Sequence, residues 1–513
     1  MESAPASWDT ILFAAAVAAG LAAGALRQGK APTPALAARQ LGAAIRDDFV
    51  LDPSVVHGNH GSFGAVPKSV RQARREVMDR IEAYPDRFFR HDATRQYAEV
   101  CEQVAAWVGA APGSLVLVEN ATTGVNTALR SADLKPSDRV LCFSDTYNAC
   151  RNAVFEECRR SGATGIVARL PLRIRSAAEV VARLREVLDR HPGVTLVVLD
   201  HITSPAAVVH PVRELCAECR RRGVRTIVDG AHAPGAMRLD VASIGADWYT
   251  GNLHKWAFAP RGVALLAVSA SVADATRPVV TSHNWPSPWL QARFFMQGTN
   301  DQSRILSVPA AIGYLESLGG LGATLVHQRA ILRAAANLAR SRWEAWDGAG
   351  ELLVGLDHCT TMCSVRTPLA AEPFLRPGRP VPATAPAPDG WLEGRAELLV
   401  LPGDAEAAAP SSAGAATATL SVPPRVAGAG VWAEAEADPA VPERVARALF
   451  RRSATQCALF VAEGAIWLRV SAAVYSSLAD VRAVVACVTE LAKETEAAGL
   501  RRGCGLEGEA GDI

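Results

Sequence analysis

The stretch RTIVDGAHAPGAMRLDVASIGADWYTGNLHKWAFAP (225–260) holds the two residues on which the reading turns. It opens on a short β-rich run that closes in a carboxylate, Asp229, and later presents Lys255 against Trp256, Ala257 and Phe258. A carboxylate placed directly after a buried strand is costly unless it meets a positive partner. A lysine in apolar surroundings has its ammonium form disfavoured, so its amine becomes nucleophilic. Each residue alone has an ordinary reading, Asp229 as the cap of a turn and Lys255 as an exposed loop residue. Their order and spacing after strand-like runs point elsewhere.

Outward from this stretch, residues 115–268 alternate β-rich runs with amphipathic helical patterns. The runs are LVLV (115–118), RVLCF (139–143), TLVVL (195–199), RTIV (225–228) and GVALLAV (262–268), with patterns such as SAAEVVARLREVLDRH and HPVRELCAECRRRG between them. This cadence predicts an α/β fold with a mostly parallel sheet covered on both faces. Ligands of such sheets sit at the carboxyl ends of the strands. The residues to weigh are therefore 119–123, 144–147, 200–204, 229–232 and 252–255.

Composition narrows the function classes. The chain has 513 residues, is 49% hydrophobic and 20% charged, and carries a formal net charge of +1, so neither nucleic acid nor an anionic membrane surface is an electrostatic partner. A small-molecule protein is the default. The 11 cysteines are odd in number and irregularly spaced, which argues against a disulfide framework and for a reducing compartment. Cys216 and Cys219 form a C-x-x-C on an amphipathic helical pattern, where both can face the core, and no metal site is expected.

Residues 11–26 (ILFAAAVAAGLAAGAL) are apolar but shorter than the ~20 residues of a spanning helix. Only Glu2 and Asp9 are charged before residue 27, unlike a secretory leader. Residues 1–40 are read as a targeting-like segment outside the fold. An organellar transit peptide (plastid or mitochondrion), a membrane anchor or an Ala-rich helix are the alternatives, and membrane contact is expected only in the anchor case. Residues 41–114 form an N-terminal arm and helices, and 115–310 the large domain. A smaller α/β domain comprises 311–375 and 443–500. Between its halves, residues 376–442 are a Pro-, Ala- and Gly-rich insertion with too little apolar content to order itself by burial, apart from the short WLEGRAELLVL piece.

Pyridoxal 5'-phosphate needs the pairing found at Asp229 and Lys255. Its aldehyde condenses with a lysine amine, and its ring nitrogen is kept protonated by an aspartate so that the ring can accept electrons. With these residues in view, the chain resembles the class V aminotransferase family, fold type I of the pyridoxal-phosphate enzymes, and within it the isopenicillin N epimerase-like branch that includes plant-type L-cysteine desulfhydrases. The motifs are GNHGSFGAVP (58–67), YPDRFFRHD (84–92), NATTGVN (120–126), LDHITSP (199–205), VDGAHAPG (228–235), YTGNLHKWAFAP (249–260), QGTND (297–301) and IWLRVSAAVY (466–475).

The resemblance implies roles residue by residue. Lys255 matches the Schiff-base lysine, Asp229 the partner of the ring nitrogen, and His232 the contact to the ring oxygen; these three are the implied catalytic set. Ala121, Thr122 and Thr123 open a helix after a strand, where N–H groups and the macrodipole favour a phosphate. Asn252 and His254 match phosphate-side positions, Tyr147 the aromatic stacked on the ring, and Asp200 and Thr203 the lining of the neighbouring strand end. Thr299 matches a threonine that reaches the phosphate of a partner subunit, which implies a homodimer with shared sites. Arg469 matches the arginine that grips the substrate carboxylate, while Asn59 and His60 lie in the segment that closes over substrate. The chain departs from the pattern at Asn300, where relatives often carry arginine, and in the 376–442 insertion.

The implied reaction is β-elimination with C–S cleavage on L-cysteine or a related sulfur amino acid, Lys255 serving as base. Alternatives are an epimerase, which needs a second acid such as His60 or Tyr147, a lyase resembling hercynylcysteine sulfoxide lyase, and a pseudo-enzyme that only keeps the fold. A persulfide relay is disfavoured: no Arg-Ser-Gly-x-x-Cys motif occurs, and Cys359 and Cys363 read as buried thiols on a strand.

Overall fold

The computed structural model describes residues 39–171, 173–369, 396–399, 441–462 and 465–499. The apolar segment at the N-terminus and most of the 376–442 insertion fall outside them. Strands of the large domain are β1 (Leu115–Val118), β2 (Arg139–Phe143), β3 (Thr164–Ala168), β4 (Val194–Asp200), β5 (Arg225–Asp229), β6 (Trp248–Asn252) and β7 (Ala264–Val268); later come β8 (Met362–Arg366), β9 (Ala396–Leu399), β10 (Ala458–Ala462) and β11 (Ala465–Ser471). Among the described residues one sheet runs β9-β3-β2-β4-β5-β6-β7-β1, parallel throughout except for β7, which is antiparallel to both its neighbours.

The near-continuous apolar runs are explained by burial on both faces. Along β4, Val197 and Leu199 join one core cluster while Leu196 and Val198 join the other; β2 divides Leu141 and Phe143 from Val140 and Cys142 in the same way. Helices α1 (Lys68–Ala83), α2 (Ala93–Val108), α3 (Ala121–Ser131), α4 (Asn148–Ser161), α5 (Ala177–Arg190) and α6 (Val212–Arg221) accompany the sheet. On α6, Cys216 and Cys219 are both buried in the core.

Two strands were absent from the runs read in the sequence. TGIVA (β3) and WYTGN (β6) contain glycine and lack an unbroken apolar series, yet both are fully buried. The insertion also contributes to the fold: Ala396–Leu399, within the WLEGRAELLVL piece, pairs in parallel with β3 at the sheet edge. That edge offers unpaired N–H and C=O groups, and a short strand satisfies them whatever the composition around it.

The smaller unit is an antiparallel sheet, β10-β11-β8, backed by α7 (Gly320–Trp343), α8 (Val441–Ser453) and α9 (Leu478–Gly499). Cys363 lies on β8 as expected, but Cys359 precedes the strand at the end of a 3-10 turn; both thiols are buried. The N-terminal arm ties the two units together. Phe49 packs its ring against Phe258, Tyr314 and Tyr475, and Arg46 pairs with Asp480 of α9 at 2.7 Å. The Lys255 loop is thereby wedged between arm and small unit.

At the other edge of the sheet, β1 has no further strand beside it among the described residues. The buried Tyr97 hydroxyl of α2 takes that place, donating to Leu117 O at 3.2 Å and accepting from Leu117 N at 3.1 Å. Tyr97→Phe strands both groups in the core and is expected to lower unfolding free energy by about 1–3 kcal/mol. Urea denaturation followed by circular dichroism checks this, with the slope unchanged and the midpoint lower.

Candidate active site

The parallel register sets Asp200, last residue of β4, directly beside Asp229, last residue of β5, so both carboxylates leave the carboxyl edge of the sheet together. Asp229 is only 3% exposed. Its Oδ1 accepts from Ala231 N at 2.9 Å and its Oδ2 from the Cys150 thiol at 3.1 Å. Asp200 Oδ1 accepts from Tyr147 N at 3.1 Å, whereas among the described residues no donor reaches its Oδ2 in full hydrogen-bond geometry. Burial raises the pKa of both acids, and the charge of Asp229 raises Asp200 further.

Lys255 follows β6 in the turn that begins at Leu253. Its Nζ lies 3.1 Å from His232 Nε2, while Trp256 Nε1 donates to His232 Nδ1 at 3.4 Å. Burial, with Lys255 and Arg469 nearby, holds His232 well below its usual pKa, so the ring is neutral. With Nδ1 accepting from the indole, the imidazole proton sits on Nε2 and points at the lysine amine. Burial and then the Arg469 charge push Lys255 down to about 8, so roughly a tenth is free base at pH 7, the form that can accept the His232 proton, and the share rises steeply above that pH.

The arm completes this wall. His60, pushed down to about 4 by burial, stands between Lys255 O (3.1 Å from Nε2) and the Tyr475 hydroxyl (2.9 Å from Nδ1). Gly64, at φ +66°, passes so close that a Cβ there would lie 2.2 Å from His254 O. From β11 comes Arg469, 4% exposed, whose guanidinium donates to Ser204 O (2.5 Å), Asn59 Oδ1 (2.8 Å) and Ser62 Oγ (2.9 Å). Burial lowers its pKa to about 10, which still leaves it cationic.

Across the site, α3 begins at Asn120, whose Oδ1 accepts from Thr123 N at 2.9 Å and Thr123 Oγ1 at 3.2 Å. Asn252 Oδ1 accepts from Ala121 N at 2.9 Å, locking the end of β6 to the helix start. Two of the N–H groups expected to be open to a phosphate, and the Thr123 hydroxyl, thus have acceptors within the protein, leaving Thr122 N–H and the Thr122 hydroxyl in this turn. Gly124 lets the helix sit on the sheet, since a Cβ there would meet Thr250 Oγ1 at 2.2 Å.

Most of the anticipated residues converge, but three stand apart. Thr203 Oγ1 accepts from Val208 N at 3.0 Å, closing its own turn. His254 turns Nδ1 back to Val263 O at 2.9 Å. Thr299 is exposed on its loop, without a contact that would bring it to Lys255 of its own chain. Tyr147 caps the start of α4 with its side chain 42% exposed, as a ring facing a ligand requires. Ser62 belongs to the arm loop singled out in the sequence, whereas Cys150 and Tyr475 are site residues that the sequence reading does not identify. Only the helical spacing from Tyr147 to Cys150 hinted that the thiol would share the Tyr147 face.

The aminotransferase class-V family model matches residues 65–341. The chain is 35% identical over 296 residues to a putative L-cysteine desulfhydrase 2 of rice, Oryza sativa subsp. japonica, covering 54% of this chain and 61% of that one. It thus spans less than two thirds of that relative. It is 31% identical over 350 residues to a probable chloroplastic L-cysteine desulfhydrase of Arabidopsis thaliana (63% of this chain, 73% of the other), and 30% identical over 312 residues to an isopenicillin N epimerase of Streptomyces clavuligerus (58% and 78%). Among solved structures, an apo cysteine desulfurase from Thermococcus onnurineus NA1 superposes with a TM-score of 0.60 at 16% identity, covering 90% of this chain and all of that one. That likeness concerns the fold, which is fold type I.

The residues present fit pyridoxal 5'-phosphate, the cofactor of this family. A buried aspartate with one donor on each oxygen, an amine of lowered pKa and a helix start with two threonines offer a ring-nitrogen partner, an anchor and a phosphate seat. Because only the free amine attacks an aldehyde, cofactor uptake by the stripped protein is expected to accelerate as pH rises through about 8, not the usual lysine value. Arg469→Gln removes a charge that depresses the amine, so the midpoint moves upward. Stopped-flow absorbance across pH 6–10 (a range of about four units around that value) measures both.

Proposed function

This chain belongs to the class V aminotransferase family, and on that premise we propose that it is a pyridoxal-phosphate lyase cleaving the C–S bond of L-cysteine or a related sulfur amino acid. The observation that carries the reading is the Lys255 amine, 3.1 Å from His232 Nε2, in a site that also holds the buried Arg469 cation. The sequence relatives named L-cysteine desulfhydrase support the substrate class.

Bound pyridoxal phosphate supplies an electron sink that acidifies the substrate α-carbon. Asp229 keeps a proton on the ring nitrogen, and Tyr147 covers the ring. His232 would offer its Nε2–H to the cofactor's ring oxygen. Arg469 grips the substrate carboxylate in a bidentate manner, which requires Asn59 and Ser62 to yield at least one of their contacts. Lys255 Nζ then takes the α-proton, and sulfur departs from the β-carbon as sulfide. With one water consumed, L-cysteine becomes pyruvate, ammonia and hydrogen sulfide. Thr122 and Thr123 seat the phosphate, and the exposed Thr299 reaches that of a second subunit, making the working unit a homodimer.

The epimerase relative keeps one alternative in view, since racemisation starts from the same α-proton transfer. His60 is poorly placed as its second acid, because both ring nitrogens are committed and the ring is neutral. That role would fall to Tyr147.

Incubation with L-cysteine is expected to release sulfide, pyruvate and ammonia in equal amounts. Lys255→Ala should cut turnover by about 10²–10⁴-fold or more. Arg469→Lys should raise KM by roughly tenfold or more, since an ammonium cannot make the paired hydrogen bonds. Loss of optical activity without sulfide would assign the epimerase reaction instead.

A further inference from the structure

The site contains a second acid that could compete with Asp229 for its charge. Asp200 and Asp229 are register partners on adjacent parallel strands, and each is 3% exposed. Two carboxylates so placed in a dry site do not both ionise readily. The cofactor would need the charge on Asp229, the residue proposed to pair with its ring nitrogen. Strand geometry treats the two alike, because each is the last residue of its strand at the same level of the sheet.

Their hydrogen-bond donors differ. Asp200 has Tyr147 N on Oδ1 and the buried Thr146 hydroxyl beside it, which lowers its pKa, but among the described residues no donor reaches its Oδ2 in full hydrogen-bond geometry. Asp229 has Ala231 N on Oδ1 and, on Oδ2, the thiol of Cys150. Tyr147 and Cys150 belong to the same first turn of α4, so one turn serves both acids, the amide going to Asp200 and the thiol to Asp229. On the Asp200 side stand the Asp145 carboxylate and the Arg151 cation, with Cys142 beneath. Lys255 and the Tyr249 hydroxyl act on the Asp229 side, without a hydrogen bond to it. The thiol is therefore the one side chain among the described residues that donates to Asp229.

We propose that Cys150 is a positioning residue whose thiol, by donating to Asp229 Oδ2, assigns the negative charge of the Asp200–Asp229 pair to Asp229 and so keeps the cofactor's ring nitrogen protonated. The inference rests on the pyridoxal-phosphate reading of the site. Cys150 is suited to the part because burial, reinforced by Asp229, drives its pKa far above the usual thiol value, so it stays a donor. Valine in its place would fill similar space and offer no hydrogen, whereas serine would keep the donor.

The test is equilibrium binding of pyridoxal phosphate to the full-length chain stripped of cofactor, with circular dichroism confirming that each variant is folded. Cys150→Val is expected to weaken binding by about tenfold, the equivalent of one pKa unit at Asp229. Cys150→Ser should bind like the unmodified protein. Adding Asp200→Asn to Cys150→Val should recover most of the lost affinity, since an amide cannot compete for the charge. The proposal is overturned if Cys150→Val binds as tightly as the unmodified chain. It is equally overturned if serine behaves like valine, which would reduce the contact to packing, or if Asp200→Asn deepens the loss. An unmodified chain that takes up no pyridoxal phosphate would overturn the cofactor reading itself and this inference with it.

Discussion

Placing a carboxylate at the end of a buried strand is the constraint around which the rest of the molecule is arranged. Asp229 lies where water does not reach it, and an ion there costs several kcal/mol unless donors and a cation offset the loss of hydration. The protein answers with the Ala231 amide, the Cys150 thiol and the start of α4, whose macrodipole favours negative charge. What remains uncompensated is suited to a protonated ring nitrogen. Cofactor binding and the burial of this charge are two sides of one arrangement.

Lys255 depends on the same economy of charge. The pKa of its amine is lowered by burial and by Arg469, and a histidine whose own pKa burial holds well below the usual value lies beside it. The three groups are brought by different parts of the chain. Lys255 follows β6, His232 follows β5, and Arg469 comes from the small unit on β11. Arg469 also holds Asn59, Ser62 and the carbonyl of Ser204, so the arm, the large sheet and the small unit meet at one guanidinium. A substrate carboxylate arriving there would loosen the arm while gaining the arginine, which couples occupancy to the position of the loop over the lysine.

The differences between the sequence reading and the structure share a physical origin. Strands β3 and β6 escaped notice because glycine interrupts their apolar runs, although in place they are as buried as their neighbours. The WLEGRAELLVL piece stood out as the apolar part of the insertion, but nothing in it specified an edge partner. Thr203 follows the end of a strand, and its hydroxyl oxygen is tied to Val208 N in a local turn. In each case the deciding interaction is made with a segment distant in the chain or fixed by local loop geometry, and composition does not record it.

The sequence by itself determined the alternating architecture, the Asp229–Lys255 pair and the family to which both point. Strand periodicity and a carboxylate-to-lysine order are properties of contiguous residues, so they can be read without coordinates. Tertiary structure alone decided what surrounds that pair. The register of β4 against β5 set Asp200 beside Asp229, the turn of α4 laid a thiol on one and an amide on the other, and the closing of the arm put His60 and Asn59 against Lys255 and Arg469. Those contacts join residues up to 410 positions apart. Electrostatics at such a site depends on ångström distances between chain-distant groups, and only the folded molecule sets them.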